Sequence, residues 1–251
     1  MAADLGELRS RIDEIDRALV GLLAKRMDLC REVADLKSAT DAPIIAPDRV
    51  RHVLRDRRQA GIDVGLDADF IEQVFRTVLA ESHRIEVAQG RHDEPPAKRA
   101  GALAGALETA AVRIDHVVVL VHDVEPAATF LASLGFATRN RGDGVMAAEA
   151  GGATIVLVDP RVGSEADAAI RHHGTGVRYV AVEVLNAALI GAALGASRRI
   201  ADVTVDDHGH EQVLSVADPD TGLSIAFISR TGHRVPIDAA AIRALLGAGH
   251  V

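Results

Sequence analysis

The chain has 251 residues and a formal net charge of -8 at pH 7. This length suggests one or two domains, and the acidic balance excludes nucleic acid as the main partner because phosphate binding needs a basic surface. The single cysteine, Cys30, cannot form an intrachain disulfide and is expected to be a small buried residue. The N-terminal residues include no apolar run of the signal or transmembrane type, so we expect a cytoplasmic protein that does not bind membranes.

The first predicted element is a long amphipathic helix over Leu5–Lys37. Its apolar residues follow alternating three- and four-residue steps, which align them in one stripe. The stripe consists of Leu8, Ile12, Ile15, Leu19, Leu22, Leu29, Val33 and Leu36. At ~1.5 Å per residue this helix extends roughly 50 Å, which is too long for a small domain to cover the stripe. We therefore expect it to pack against its own copy in a homodimer.

Three cations of this helix are site candidates. Arg26 occupies a position on the apolar stripe, where a guanidinium group is costly unless an anion meets it. Lys37 lies eleven residues further on, about 20° from the same face, so two cations are predicted to face one site. Arg9 is some 40 Å from Lys37 along the axis and could join that site only from a neighbouring subunit. The alternative is that all three are ordinary solvated charges.

A second, shorter helix is predicted over Pro47–Ala60, because proline suits the first turn of a helix and Gly61 suits its end. Its inward-facing residues are Val50, Val53 and Leu54. The segment is rich in arginine, and most of these side chains must face solvent. Only Arg49, beside the apolar face near the start of the helix, is expected to reach a site.

A third helix is predicted over Leu66–Ala88. Its buried stripe consists of Ile71, Val74, Phe75, Val78 and Leu79. The same stripe continues through Ser82, Ile85 and Glu86. A hydroxyl group and a carboxyl group are therefore expected one turn apart on the buried face, and a buried carboxyl group requires a partner or a proton.

Four runs of this region carry a family resemblance: LRSRIDEID, LLAKRMDLCREVADLK, PIIAPDRV and GLDADFIEQVFRTVLAES. Their order and spacing resemble the all-helical chorismate mutase family over Leu5–Ala88. The resemblance implies an intertwined homodimer of three-helix subunits with two equivalent pockets. It also implies an isomerase of aromatic amino acid biosynthesis that needs no cofactor.

The resemblance further implies roles for individual residues. The catalytic residues that it implies are Lys37, Glu86 and Arg26. The substrate-binding residues that it implies are Arg9, Arg26, Arg49 and Ser82. In this assignment Arg9 reaches the pocket from the other subunit, and Lys37 donates a hydrogen bond to the ether oxygen of the substrate.

These residue types also suit the chemistry. Chorismate is a dicarboxylate with an enolpyruvyl ether, and its rearrangement to prephenate is concerted, so it requires no nucleophile, metal or redox cofactor. Forked guanidinium groups suit the two carboxylates, and a fixed ammonium group suits the negative charge that develops on the ether oxygen. We therefore expect a chorismate mutase that works by electrostatic preorganisation on a small dicarboxylate substrate.

Two positions depart from the family pattern. Val50 follows Arg49 where the best-known members have a glutamate that contacts the ring hydroxyl, and Glu86 stands where many have glutamine. Glu86 must be protonated to donate to the ether oxygen, which predicts an acid-shifted pH optimum. The APDRV run also resembles isochorismate pyruvate lyase, and 4-amino-4-deoxychorismate mutase shares the fold. A non-catalytic regulatory protein that binds aromatic metabolites is a further alternative.

The sequence character changes after the third predicted helix. We expect a helical domain over residues 1–90, a charged and proline-containing linker over 91–110, a β domain over 111–231 and a helical tail over 232–251. The β domain contains two successive βαβββ patterns, which resemble the vicinal oxygen chelate superfamily and, within it, the non-catalytic half of 4-hydroxyphenylpyruvate dioxygenase. The fold class is therefore a two-domain α+β protein.

Metal binding by the β domain can be tested on the sequence. Metal-binding members of that superfamily place His or Glu near the ends of these strands, and His116 fits the first such position. Tyr179 and Ala226 occupy the matching later positions, and Leu157 offers no ligand atom. A catalytic metal normally needs three protein ligands. We therefore expect no metal, and a domain that braces the dimer or binds a ligand.

Overall fold

A computed structural model of the protein describes residues 4–40, 46–88, 107, 110–200, 202–205, 210–229, 240, 242–243 and 246. Almost all of the predicted linker over 91–110, and most of the predicted tail over 232–251, lie outside the described residues. Among the helices that these ranges contain, none combines the length and the hydrophobicity that crossing a bilayer requires.

The N-terminal region is helical, as predicted. The helices are α1 (Leu5–Thr40), α2 (Pro47–Asp63) and α3 (Ala68–Ala88). The inward-facing residues predicted for α2, namely Val50, Val53 and Leu54, are buried. On α3 the predicted continuation of the buried stripe is confirmed, because Ser82, Ile85 and Glu86 are all at most 8% exposed.

The prediction that α2 ends at Gly61 is wrong. The helix continues to Asp63, and the Val64 amide closes its end on the carbonyl oxygens of Gly61 and Ile62. A Cβ atom at Gly61 would lie 2.7 Å from Cγ1 of Ile71 on α3. Glycine therefore serves here to let α2 and α3 approach closely, rather than to terminate the helix.

The long helix α1 contacts α3 through its C-terminal half only. Ala34 is buried in this contact, and Arg26, Cys30 and Lys37 are half-buried. All eight residues of the predicted apolar stripe of α1 are between 41% and 67% exposed. One copy of the chain therefore leaves this stripe in water, as its length predicted.

In the part of the chain that the structure describes, the second region is a mixed sheet with helices packed on it. Its strands are β1 (Ala111–Leu120), β2 (Ala137–Gly142), β3 (Val145–Ala150), β4 (Ala153–Val158), β5 (Gly176–Val184), β6 (Thr204–Val205), β7 (Glu211–Leu214) and β8 (Ser224–Ser229). Its α-helices are α4 (Val124–Ser133), α5 (Ser164–His173) and α6 (Ala187–Leu194), and a 3₁₀ turn spans Pro160–Val162.

The sheet order confirms two βαβββ modules. The strands lie in the order β2-β3-β4-β1-β5-β8-β7-β6, so each module forms one half of the sheet. Strand β1 is parallel to β4, β5 is parallel to β8, and β1 joins β5 as an antiparallel pair at the centre. Strands β1 to β4 form the first module with α4, and strands β5 to β8 form the second module with α6.

The two faces of the sheet carry different cores. On one face Val118, Val156 and Tyr179 pack with residues of α5 and with Ile242 and Leu246. On the other face Leu157 packs with Val119 and with Ala128 of α4. Alternation along β4 therefore turns Leu157 away from the face that Val118 and Tyr179 share.

The helical region packs against the sheet region. Val50 and Leu54 of α2 lie in one buried cluster with Val112 of β1 and Val184 of β5. The guanidinium group of Arg76 on α3 donates a hydrogen bond from Nη1 to the carbonyl oxygen of Ala111, at 2.7 Å. The two regions are thus joined by apolar packing and by a polar contact.

Candidate active site

The α1–α3 contact brings two of the predicted site residues together. Lys37 Nζ donates a hydrogen bond to Glu86 Oε2 at 2.7 Å, and their side chains are 24% and 11% exposed. The two residues are 49 positions apart in the chain, so helix packing and not local sequence produces the pair. A charge-assisted pair of this burial fixes the ammonium group at the edge of the α1–α3 groove.

A second pair links the same two helices. Arg26 Nη1 donates to Ser82 Oγ at 2.5 Å, and the Ser82 hydroxyl donates in turn to the carbonyl oxygen of Val78 at 2.7 Å. Arg26 Nη1 also approaches Cys30 Sγ at 3.7 Å. Cys30 is half-buried beside this guanidinium group, so the expectation of an ordinary buried cysteine was wrong. Its position follows from the four-residue step from Arg26 along α1.

Arg9 and Arg49 are not brought into this groove by the single chain. Both side chains are exposed, and Arg9 lies on the N-terminal part of α1, which has no contact with α3 in the chain. Arg49 stands in the first turn of α2, directly before buried Val50. Their assignment to the site stays a prediction.

His83 is a residue that the sequence analysis missed. It is 7% exposed, and neither ring nitrogen has a hydrogen-bond partner. Burial, and secondarily the charge of Lys37, lower the pKa of His83 to about 3. The imidazole is therefore neutral at physiological pH. Its place between Ser82 and Glu86 in the sequence could have indicated that it is buried. It was missed because it lies off the apolar stripe from which the buried positions of α3 were predicted.

The charges of the groove suit an anionic ligand. Arg26 and Lys37 supply two positive charges, and Glu86 supplies one negative charge that already pairs with Lys37. The neutral ring of His83 adds none. A dianion would need at least one further cation, and the remaining cations of the predicted set are Arg9 and Arg49.

The sheet domain has a buried polar cluster where a metal was considered. His116 Nδ1 donates to Asp115 Oδ2 at 2.7 Å, its Nε2 has no partner, and its ring meets that of Tyr179 edge to face at 5.8 Å. Burial and the Asp115 carboxylate raise the pKa of Tyr179 well above its ordinary value. The strand neighbours beside His116 in the register are Ala181 and Ala226.

These residues do not fit a catalytic metal. The alanines offer no ligand atom, and a neutral phenol with a raised pKa is a poor ligand, so His116 Nε2 stands alone where three protein ligands are normal. Across the described ranges there is no group of three His, Cys, Asp or Glu side chains that could hold a metal ion. No step in the chemistry below passes through a metal.

Comparison with known proteins assigns each region to a family. Residues 8–87 match the family described as Chorismate mutase type II, and residues 113–227 match the Glyoxalase/Bleomycin resistance protein/Dioxygenase superfamily. The T-protein of Enterobacter agglomerans is 42% identical over 90 residues, which are 36% of this chain and 24% of that protein. The chain thus spans about a quarter of the length of this relative.

Two shorter relatives are covered more fully. The isochorismate pyruvate lyase of Pseudomonas aeruginosa is 37% identical over 75 residues, which are 30% of this chain and 73% of that protein. The 4-amino-4-deoxychorismate mutase of Streptomyces venezuelae is 30% identical over 83 residues, which are 33% of this chain and 81% of that protein. The fold and the α1–α3 groove define a helical protein of the chorismate mutase class with an attached sheet domain. Through residues 8–87 the chain belongs to the chorismate mutase type II family, and it carries a glyoxalase-superfamily domain.

The pKa of His83 predicts how stability depends on pH. The unfolded chain binds a proton at His83 below about pH 6.5, whereas the folded chain does so only near pH 3. Acid therefore favours unfolding, and His83 should remove about 1.4 kcal/mol of unfolding free energy for each pH unit below about 6.5. Denaturant titrations of the wild type and of His83→Leu between about pH 7 and about pH 4 measure this slope.

The expected difference is a shallower acid slope in His83→Leu, by about one proton. The exposed His52 on α2 provides a control, since His52→Leu should leave the slope unchanged. Equal slopes in the wild type and in His83→Leu would mean that the imidazole does not stay neutral when buried.

Proposed function

We propose that this chain is a chorismate mutase, which rearranges chorismate to prephenate as a homodimer. The observation that carries the proposal is the meeting of Lys37 with Glu86 and of Arg26 with Ser82 across the α1–α3 groove. These are four of the six residues that the family resemblance assigned to the pocket. The predicted cytoplasmic location and the predicted lack of nucleic-acid binding stay predictions.

The geometry suits a reaction that needs only orientation and charge. Ser82 fixes the Arg26 guanidinium group, which can then hold one carboxylate of the substrate with little further loss of side-chain entropy. Arg49, and Arg9 from the second copy, complete the binding of the dianion. With both carboxylates held, the enolpyruvyl side chain folds over the ring, and the bond-making carbons come into contact.

Lys37 supplies the stabilisation of the transition state. Negative charge grows on the ether oxygen as its bond to the ring breaks, and a fixed ammonium group in a half-buried groove stabilises it more than water does. In the free protein Glu86 holds this ammonium group in place. When Glu86 is protonated, Lys37 is released toward the ether oxygen, and the carboxylic acid can itself donate a second hydrogen bond there.

The exposed stripe of α1 supports the proposed homodimer. Eight apolar side chains of its stripe are 41% to 67% exposed in one chain, and a second antiparallel copy offers the same stripe as a complementary surface. Arg9 lies on the part of α1 that extends beyond α3. A partner's α1 laid along the stripe would therefore bring its Arg9 to the end of the groove at which Lys37 lies.

Activity assays test the function and its alternatives together. The purified protein should convert chorismate to prephenate. Release of pyruvate from isochorismate would instead indicate the activity named for the lyase relative, and conversion of the 4-amino analogue would indicate the activity named for the 4-amino-4-deoxychorismate mutase relative. Lys37→Ala should lower kcat by about 10²- to 10³-fold or more, because an oxyanion donor is lost. Lys25→Ala, at an exposed site on the same helix, is the matched control and should leave kcat unchanged. A wild type inactive on all three substrates would leave only a binding or regulatory role.

Glu86 predicts the effect of its replacement by glutamine. A carboxylate cannot donate a hydrogen bond to the ether oxygen, whereas the amide of Glu86→Gln can. The kcat/KM of Glu86→Gln at about pH 8 should therefore be at least as high as that of the wild type. Glu81→Gln, another α3 carboxyl change, should keep the wild-type kcat/KM. A large loss of kcat/KM in Glu86→Gln would contradict a donor role at this position.

The shared pocket predicts complementation between inactive variants. Arg9→Ala and Lys37→Ala each remove one group from both pockets of a dimer. In a mixed dimer, one pocket combines Lys37 of the Arg9→Ala subunit with Arg9 of the Lys37→Ala subunit and is therefore intact. Random assortment makes about half of the dimers mixed, and each of these has one intact pocket of two, so about a quarter of wild-type activity should be restored. Co-expression with two different affinity tags isolates the mixed dimer and measures it directly.

The control for this experiment replaces Arg9→Ala by Arg11→Ala, which should be active alone because Arg11 is another exposed arginine of the first turns. If isolated mixed dimers of Arg9→Ala and Lys37→Ala stay inactive, Arg9 does not act across the interface.

A further inference from the structure

Val50 lies in the first turn of α2. It directly follows Arg49 and stands where the family resemblance expects a glutamate facing the substrate ring. In this structure Val50 is 8% exposed and contacts the sheet domain, not the groove that holds Lys37 and Glu86. Position 50 of this chain is therefore part of an apolar contact between the domains.

This contact adds to the packing of α2 on α3. Val50 and Leu54 belong to one buried cluster that includes residues of β1, β5, β8 and α6, and Phe75 and Leu79 of α3 pack against it. Its members from the sheet domain are Val112, Val184, Leu185, Ala187, Ile190, Leu194, Val213 and Phe227. Val50 and Leu54 are two of the three apolar side chains found buried among the described side chains of α2, so α2 is held between α3 and the sheet domain.

Arg76 of α3 links the helical region to the sheet domain by a hydrogen bond. Its Nη1 donates to the Ala111 carbonyl oxygen of β1 at 2.7 Å, while Nε and Nη2 donate to Glu72 Oε1 at 2.9 and 2.7 Å. The side chain is 14% exposed. Glu72 thus orients the guanidinium group on α3, and the guanidinium group binds the first strand of the sheet.

We propose that the sheet domain is a positioning element of the mutase site, which acts by holding α2 and with it Arg49. The proposal rests on the proposed function. Arg49 and Val50 are neighbours in one helical turn, so the depth of Val50 in the interdomain cluster determines where the Arg49 guanidinium group can reach. Arg76, Val50 and Leu54 are positioning residues, since none of them touches the groove that Arg26 and Lys37 line.

The apolar surroundings of position 50 explain why a valine and not a glutamate stands there. A carboxylate in this cluster would be surrounded by valine and leucine side chains and would have to be desolvated without a partner. Valine fills this position without that cost. It offers no hydrogen bond to a substrate ring, and it anchors the helical turn that carries Arg49.

The test uses the full-length chain with Arg76→Ala, Arg76→Lys and Arg84→Ala. Arg84 is the matched control, because it lies on α3 and pairs with Glu81 within the helix. We expect Arg76→Ala to raise KM for chorismate about 5- to 10-fold with kcat within about 2-fold, as for loss of a group that binds ground state and transition state alike. Arg76→Lys should recover part of the loss, and Arg84→Ala should keep the wild-type KM. A purely structural defect would instead lower the active fraction and kcat with KM unchanged.

Hydrogen exchange on the same proteins provides a readout that does not need activity. Amides of α2 should exchange faster in Arg76→Ala than in the wild type, while those of α1 should not change. Unchanged α2 exchange overturns the inference, and so does faster α2 exchange with an unchanged KM. A wild type without mutase activity would refute the proposed function, and α2 exchange would still decide whether Arg76 anchors the helix. If Arg76→Ala folds poorly, Val50→Ala serves as the second variant. It removes two methyl groups from the cluster, so it should also speed hydrogen exchange in α2 and raise KM.

Discussion

The exposed stripe of α1 is the constraint on which the rest of the molecule depends. A valine, leucine or isoleucine side chain contributes about 1.5–3 kcal/mol on full burial, and a whole domain has a net stability of only ~5–15 kcal/mol. Eight such side chains along one helix, all at least 41% exposed, therefore represent a large unused driving force. The same helix carries Arg9, Arg26 and Lys37 at three levels along its length. Whatever covers the stripe therefore also closes the groove in which the charged groups lie.

The charged groups of the groove are arranged before any ligand arrives. Arg26 lies on an apolar stripe and is compatible with it because Ser82 and Cys30 meet its guanidinium group. Lys37 is paired with Glu86, so the ammonium group has a fixed position and its charge is balanced. A ligand carboxylate or ether oxygen can therefore meet cations that are already positioned. The unpartnered ring of His83 shows the opposite case, since burial holds it neutral beside a cation.

Periodicity predicted the helices and part of the site, because burial on a helix follows its own repeat. Extending the α3 stripe was enough to place Ser82 and Glu86 inside. The same reasoning failed for His83, which is buried by neighbouring elements and not by its own stripe. It also failed for Gly61, because whether a glycine ends a helix or allows a close approach depends on Ile71 of another helix.

The two domains depend on each other through one shared core. Both faces of this sheet carry buried apolar side chains, and one face is covered by α5 with Ile242 and Leu246. On the other face α4 covers one module and α6 covers the next, and the cluster of α6 continues without interruption to Val50 and Leu54 of α2. The sequence indicated that these two side chains face inward, but their partners stand some sixty and more positions later, beyond the reach of any local pattern. The helical region therefore completes the core of the sheet domain, and the sheet domain in turn fixes the helix that carries Arg49. A substitution in this shared cluster acts on the stability of one domain and on the geometry of the other.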